Sequence, residues 1–127
     1  MSEGGLTGTV LEYTRTIEEL VGEGGVSDWS RLTRFVAADQ FERVGTFLEV
    51  QDWQQYTAML SQWSSSIEKF ETSVRRISEV NNLVFFEIEE RHFRGGVHVV
   101  NSMTVFEFDD NGKIRRLNVY LQQGRDA

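Results

Sequence analysis

The chain contains no cysteine and no proline among its 127 residues. Without cysteine there are no disulfides, no thiolate nucleophile and no cysteine–zinc site. A reducing compartment such as the cytoplasm fits that composition. Without proline, every turn must come from glycine, asparagine or aspartate. Apolar runs extend only a few residues, so no segment predicts a membrane span. The opening MSEGGLTGT lacks the basic and apolar regions of a signal peptide. Lysine and arginine number 13 against 20 acidic residues, for a net charge of −7 and no basic run. That balance argues against nucleic acid and against anionic membrane surfaces, both of which need clustered cations.

What is present is ordinary globular material: 39% hydrophobic, 12% aromatic and 26% charged residues. The length predicts one domain, 1–127, with an ordered core over about 9–122. From residue 9 to 21, Val10, Leu11, Tyr13, Ile17, Leu20 and Val21 step by three and four, as one face of a helix does. Gly22-Glu23-Gly24-Gly25 stops it. Ser27 reads as an N-cap for a second helix carrying Trp29, Leu32, Phe35 and Val36. Residues 39–48 alternate as a short strand. Asp52 opens a third helix, with Trp53, Tyr56, Leu60, Trp63 and Ile67 on one side. Residues 70–80 read as a strand, followed by three more over Leu83–Phe93, Val97–Phe108 and residues 114–122.

Turn residues assign faces. A two-residue Gly95-Gly96 loop would pair Arg94 with Val97, and so place Phe85, Glu87, Glu89 and Arg91 beside Val100, Ser102, Thr104 and Phe106. Carried across the other turns, this face gains Phe70, Thr72, Val74, Arg76, Ser78, Arg115, Leu117, Val119 and Leu121. It is apolar at its base and polar at its mouth. The other face holds Phe86, Ile88, Glu90, His92, Val99, Asn101, Met103, Val105, Asn118 and Tyr120. An odd slip in register would invert the assignment.

Helix, helix, strand, helix and four strands, ending in Phe106-x-Phe108-x-x-x-Gly112-Lys113-Ile114, resembles the nuclear transport factor 2-like superfamily. The segment Asp28-Trp29…Phe35-Val36-Ala37-Ala38-Asp39 is similar to one of that family. The resemblance covers about residues 9–122. It implies an α+β fold of cystatin-like, nuclear transport factor 2-like type. In that fold a cone-shaped, curved antiparallel sheet is wrapped by three N-terminal helices around a pocket. It also implies a homodimer formed through the outer sheet face. Activities in the superfamily are diverse, including ketosteroid isomerases, SnoaL-like polyketide cyclases, epoxide hydrolases, dehydratases and non-catalytic binders.

Residue by residue, Tyr13 stands where ketosteroid isomerases carry a helix-one tyrosine. Their first-strand aspartate falls near Arg43, and their oxyanion-stabilising aspartate near Thr104. The Arg-x-Asp pair of the epoxide hydrolases meets Glu89-x-Arg91 in reversed order, with Asn118 or Val119 at the last-strand position. The dehydratase histidines have only His92 and His98 as candidates, both off the expected pocket face.

The expected catalytic set is Glu89 as base, Arg91 as its electrostatic partner and Tyr13 as donor. Trp29, Tyr56, Trp63, Glu87, Thr104, Phe106, Leu117 and Val119 are expected to line the pocket. Two readings compete for Glu87, Glu89 and Arg91: a pocket role, or a surface salt-bridge ladder with Arg76 opposite Glu87. Tyr13 and the tryptophans also fit as plain core aromatics. Glu90 and His92 could form a metal pair but lack a third ligand, so no metal and no cofactor are expected. The function expected is acid–base chemistry without cofactor, by a lyase, isomerase or hydrolase of SnoaL-like type, on a small apolar organic molecule. The alternative is a non-catalytic ligand-binding or dimeric assembly module on the same fold.

Overall fold

A computed structural model describes residues 5–24 and 28–124; Gly25 and Ser27, read above as helix stop and N-cap, lie outside them. Helix α1 spans Gly5–Gly22, starting earlier than the apolar stripe alone suggests. The short second helix spans Ser30–Phe35 and is wound as a 3-10 helix. The alternating stretch 39–48 yields only a three-residue strand, β1 (Glu42–Val44), before the chain turns into β2 (Val50–Gln51). Helix α2 covers Trp53–Ser65. Strands β3 (Lys69–Val80), β4 (Leu83–Phe93), β5 (Val97–Phe108) and β6 (Ile114–Gln123) follow as a meander.

The six strands form one curved, unclosed sheet in the order β2-β1-β6-β5-β4-β3. All neighbours are antiparallel except β1 and β6, which run parallel. Irregularities at Val74/Arg76 and Glu107/Phe108 interrupt the ladders and bend the long strands. Helices α1 and α2 contribute Val10, Tyr13, Ile17, Leu20, Tyr56 and Leu60 to a core that also contains Val84, Phe86, Ile88, Phe106, Phe108, Ile114 and Leu117 from the sheet.

Local chemistry explains the element ends. The Asp52 side chain accepts from the Gln55 amide at 2.8 Å, while the Gln55 side chain accepts from the Asp52 amide at 2.9 Å. This reciprocal capping box starts α2. The β5–β6 turn is held by Asp109, whose Oδ1 accepts from the Asn111 and Lys113 amides, each at 2.9 Å. Gly112 there has φ 76°, which explains the glycine in the Phe-x-Phe…Gly-Lys-Ile pattern. Ile114 follows at once, fully buried, and its carbonyl accepts from Ala37 at 2.9 Å.

One turn departs from expectation. The β4–β5 connection holds three residues, Arg94, Gly95 and Gly96, because Phe93 and not Arg94 pairs with Val97. The Arg94 amide donates to the Gly96 carbonyl at 2.8 Å, and Gly95 takes the left-handed conformation, φ 63°. That single extra residue slips the register by one. In β4 the even side chains therefore face the helices: Val84, Phe86 and Ile88 are buried, opposite Phe106, Thr104 and Ser102. The inward face expected for β5, for β6 from Leu117 onward, and for Phe70, Thr72 and Val74 of β3 agrees with the pairing. Beyond the bulge, Arg76 and Ser78 cross to the outer face, opposite Glu87 and Phe85.

Candidate functional site

A cavity of about 660 Å³ opens between the two α-helices and the inner face of the sheet. Ile17, Leu60, Phe70, Phe86, Phe106 and Leu117 give it hydrophobic walls, which share its surface about equally with polar groups. Two of its polar clusters bear on chemistry.

The first is a pair of phenols. Tyr13 on α1 and Tyr56 on α2 place their hydroxyl oxygens 3.0 Å apart. Both rings are buried and wedged edge-on or stacked against Phe35, Phe41 and Phe106. Burial drives the Tyr13 hydroxyl well above the ordinary phenol pKa, with the neighbouring Tyr56 adding to the shift and Arg43 opposing it. Burial also raises Tyr56, while its bond with Tyr13 and the positive charge of Arg43 pull it down and Glu90 pushes it up. Both therefore stay neutral near pH 7, and one of the two hydroxyl protons remains available to a molecule in the cavity.

The second is a relay on β4. The Trp63 indole N–H donates to His92 Nδ1 at 3.1 Å. An indole nitrogen can only donate, so Nδ1 is bare and the imidazole proton sits on Nε2. Nε2 then donates to Glu90 Oε1 at 2.8 Å. Among the described residues one Glu90 oxygen is hydrogen-bonded, and the other is left for the cavity that Glu90 and His92 line. Rings of Trp63, Phe70 and His92 meet edge to face with centroids 4.9 to 5.6 Å apart, which fixes the imidazole plane.

Several expected site residues stand elsewhere. Glu89 and Arg91 lie on the outer face, where Arg91 donates to Glu89 at 2.7 Å and to Ser73 at 2.9 Å, and Arg75 donates to Glu89 at 3.2 Å. Glu87 is there too, bonded to Arg76, which holds its carboxyl below the usual range. Of the two readings weighed for these residues, the ladder is the arrangement found. Trp29 is buried away from the cavity, its indole donating to Ser61 at 2.9 Å. Tyr13, Tyr56, Trp63, Thr104, Phe106, Leu117 and Val119 all border the cavity.

Glu90, His92 and His98 are all expected off the pocket face, yet all three border the cavity; for Glu90 and His92 the cause is the one-residue difference in the loop. A signal existed within β4 itself: Val84, Phe86 and Ile88 are wholly apolar, whereas Glu87, Glu89 and Arg91 are not. Arg43, noted only as a departure from the ketosteroid isomerases, also borders the cavity. Among the described residues no group of three His, Asp or Glu side chains could hold a metal ion. No helix there is long and apolar enough to cross a membrane.

This architecture is that of the nuclear transport factor 2-like and SnoaL-like folds. No family model matches the sequence, and no curated protein matches it either. Solved structures do. A nuclear transport factor 2-like protein of unknown function from Cytophaga hutchinsonii superposes with a TM-score of 0.68 at 14% identity, over 92% of this chain and 89% of that one. A candidate SnoaL-like polyketide cyclase from Shewanella denitrificans gives 0.72 at 13% identity, over 92% and 90%. AclR, a candidate hydroxylase from Streptomyces galilaeus, gives 0.78 at 11% identity, over 96% and 81%. Identities this low establish the fold and leave activity to be argued from the side chains.

Proposed function

We propose that the protein is a cofactor-independent acid–base enzyme of SnoaL-like type. It shifts a proton on a small, largely apolar carbonyl compound. The observation that carries this reading is the Trp63–His92–Glu90 relay in a cavity that also presents a neutral tyrosine pair. Glu90 takes the proton from the carbon next to the carbonyl through its free oxygen. The C–H electrons move into the new C=C bond, and the carbonyl oxygen becomes negative. A hydroxyl of the Tyr13–Tyr56 pair donates to that oxygen, strengthened by its partner phenol. Return of the proton to another carbon, or loss of a leaving group, gives an isomerase or a lyase. His92 and Trp63 position the carboxylate, while Phe86 and Phe106 offer apolar surface to the substrate's hydrocarbon part. Glu90 and His92 thus take the roles that Glu89 and Arg91 were expected to fill.

Non-catalytic binding remains the contrasting outcome. Incubation with 2-tetralone in heavy water, followed by proton NMR, separates the two. Accelerated exchange beside the carbonyl, lost in Glu90→Gln, supports the enzyme; no acceleration by the native protein supports a binder. We also propose a cytoplasmic homodimer, joined through the outer sheet face. Val97, Val99 and Tyr120 are more than half exposed, and Asn101 Oδ1 is buried without a hydrogen-bond partner. Sedimentation velocity of the native protein tests this, and a monomer at all accessible concentrations overturns it.

A further inference from the structure

Arg43 is placed unusually for an arginine. Its side chain is only 11% exposed, although it belongs to the three-residue strand β1, second from the edge of the sheet and in register with Leu117 of β6. Of its five N–H groups, one donates to Gln51 Oε1 at 3.0 Å. Its carboxylate neighbour, Glu49, is 46% exposed and approaches to 3.6 Å through Oε2, while Glu49 Oε1 accepts from the Phe47 amide at 3.0 Å. Glu49 thus gives partial compensation from the solvent side. Arg43 also borders the cavity, so the donors that Gln51 does not engage are within reach of a molecule there. The guanidinium carbon lies 5.6 Å from the Tyr56 ring centroid, beside the phenol pair.

The charge of the walls points the same way. The chain carries −7, whereas the cavity is bordered by Arg43, Arg94 and Glu90, which is 2 − 1 = +1 with both histidines neutral. A largely buried guanidinium beside a chamber lined by aromatic rings is a receptor for a planar anion, because its fork matches a carboxylate's two oxygens.

We propose that the ligand of this cavity is an apolar carboxylic acid, bound as its anion. Its carboxylate docks on Arg43, and its hydrocarbon body lies against Phe70, Phe86 and Phe106. This deepens the acid–base reading and rests on it for the chemistry: the anion seats the molecule at the Arg43–Tyr56 end, and Glu90 works on a carbon further along. Binding itself does not require that chemistry, so the two can fail separately.

The test compares 1-naphthoate with 1-naphthamide, two probes of nearly equal shape and different charge, by titration calorimetry at neutral pH. The native protein binds the acid at least tenfold tighter than the amide. Arg43→Gln abolishes the preference by weakening the acid alone, and Arg43→Lys keeps part of it as a point charge. Equal affinities in the native protein, no binding of either probe at millimolar concentration, or a preference that survives Arg43→Gln each overturns the proposal. If Arg43→Gln fails to fold by circular dichroism, the native comparison with Arg43→Lys still decides. Glu90→Gln keeps the preference for the acid. Loss of tetralone exchange in that variant together with equal probe affinities would remove the anion site and leave the proton chemistry standing.

Discussion

Glu89 and Glu90 are consecutive residues on one strand, and the sheet separates them. Outside, Glu89 receives Arg75 and Arg91 within a solvated ladder that continues through Glu71 and Ser73. Inside, Glu90 receives a single imidazole N–H, and that imidazole is itself held by an indole. The outer carboxylate has two cations at hand in water, where such pairs add little to stability. The inner one retains an uncommitted oxygen in a cavity. Two adjacent glutamates thus differ in chemical opportunity because one side chain points up and the next points down.

The largest expected effect breaks or keeps this contrast outright. Glu90→Gln lowers tetralone exchange by about 10²- to 10⁴-fold, the usual worth of a positioned base. Glu89→Gln leaves it unchanged. The reverse pattern in the NMR rates would return the chemistry to the outer face.

Stability offers a second contrast. Phe86→Ala removes a ring that is 2% exposed and costs about 3–5 kcal/mol by urea unfolding, from lost transfer energy and the void left behind. Phe85→Ala, one residue earlier on the half-buried outer face, costs less than half as much. Equal losses would mean the outer face is as tightly packed as the inner.

A smaller effect comes with alkaline pH. The folded-state pKa values of Tyr13 and Tyr56 lie above their ordinary value of 10.0. Their contribution is therefore complete below pH 10 and is lost as pH rises through the folded values. The slope is at most about 1.4 kcal/mol per tyrosine per pH unit. Urea midpoints at pH 9 and 11 measure it, and the double variant Tyr13→Phe, Tyr56→Phe flattens the decline. An unchanged slope in that variant removes the pair as its cause.

The smallest effect sharpens the inner relay. Trp63→Phe keeps an aromatic ring against Phe70 but deletes the donor to His92 Nδ1. Exchange falls by about threefold to tenfold, the worth of one hydrogen bond. Nitrogen-15 NMR shows His92 passing from one tautomer to a mixture. A single tautomer persisting in the variant would mean that Trp63 does not set it.

Much of the fold is legible in the sequence because period and turn chemistry are local. The helical spacing of Tyr13, Ile17 and Leu20 places α1. The Asp109–Gly112 turn sets β5 against β6, so Thr104, Phe106, Leu117 and Val119 are placed on the inner face from residue types alone. The spacing of Trp29, Leu32, Phe35 and Val36 announces a second helix but suits either winding; the structure winds it as 3-10 with Leu32 and Phe35 buried. The site is less legible. Gly95 and Gly96 fit a two-residue or a three-residue loop equally well, and only the pairing of Phe93 with Val97 selects the longer one. The bulge after Val74, which sends Arg76 outward, has no marker residue at all.

The loop at Arg94, Gly95 and Gly96 has a consequence for descent. Loss of one glycine codon there would not merely shorten a surface turn. The adjoining strand would have to rotate half a revolution, bringing Val84, Phe86 and Ile88 into water and carrying Glu90 and His92 away from the chamber, or else break its pairing. Selection should therefore guard the number of residues in that exposed bend as closely as it guards any side chain of the interior.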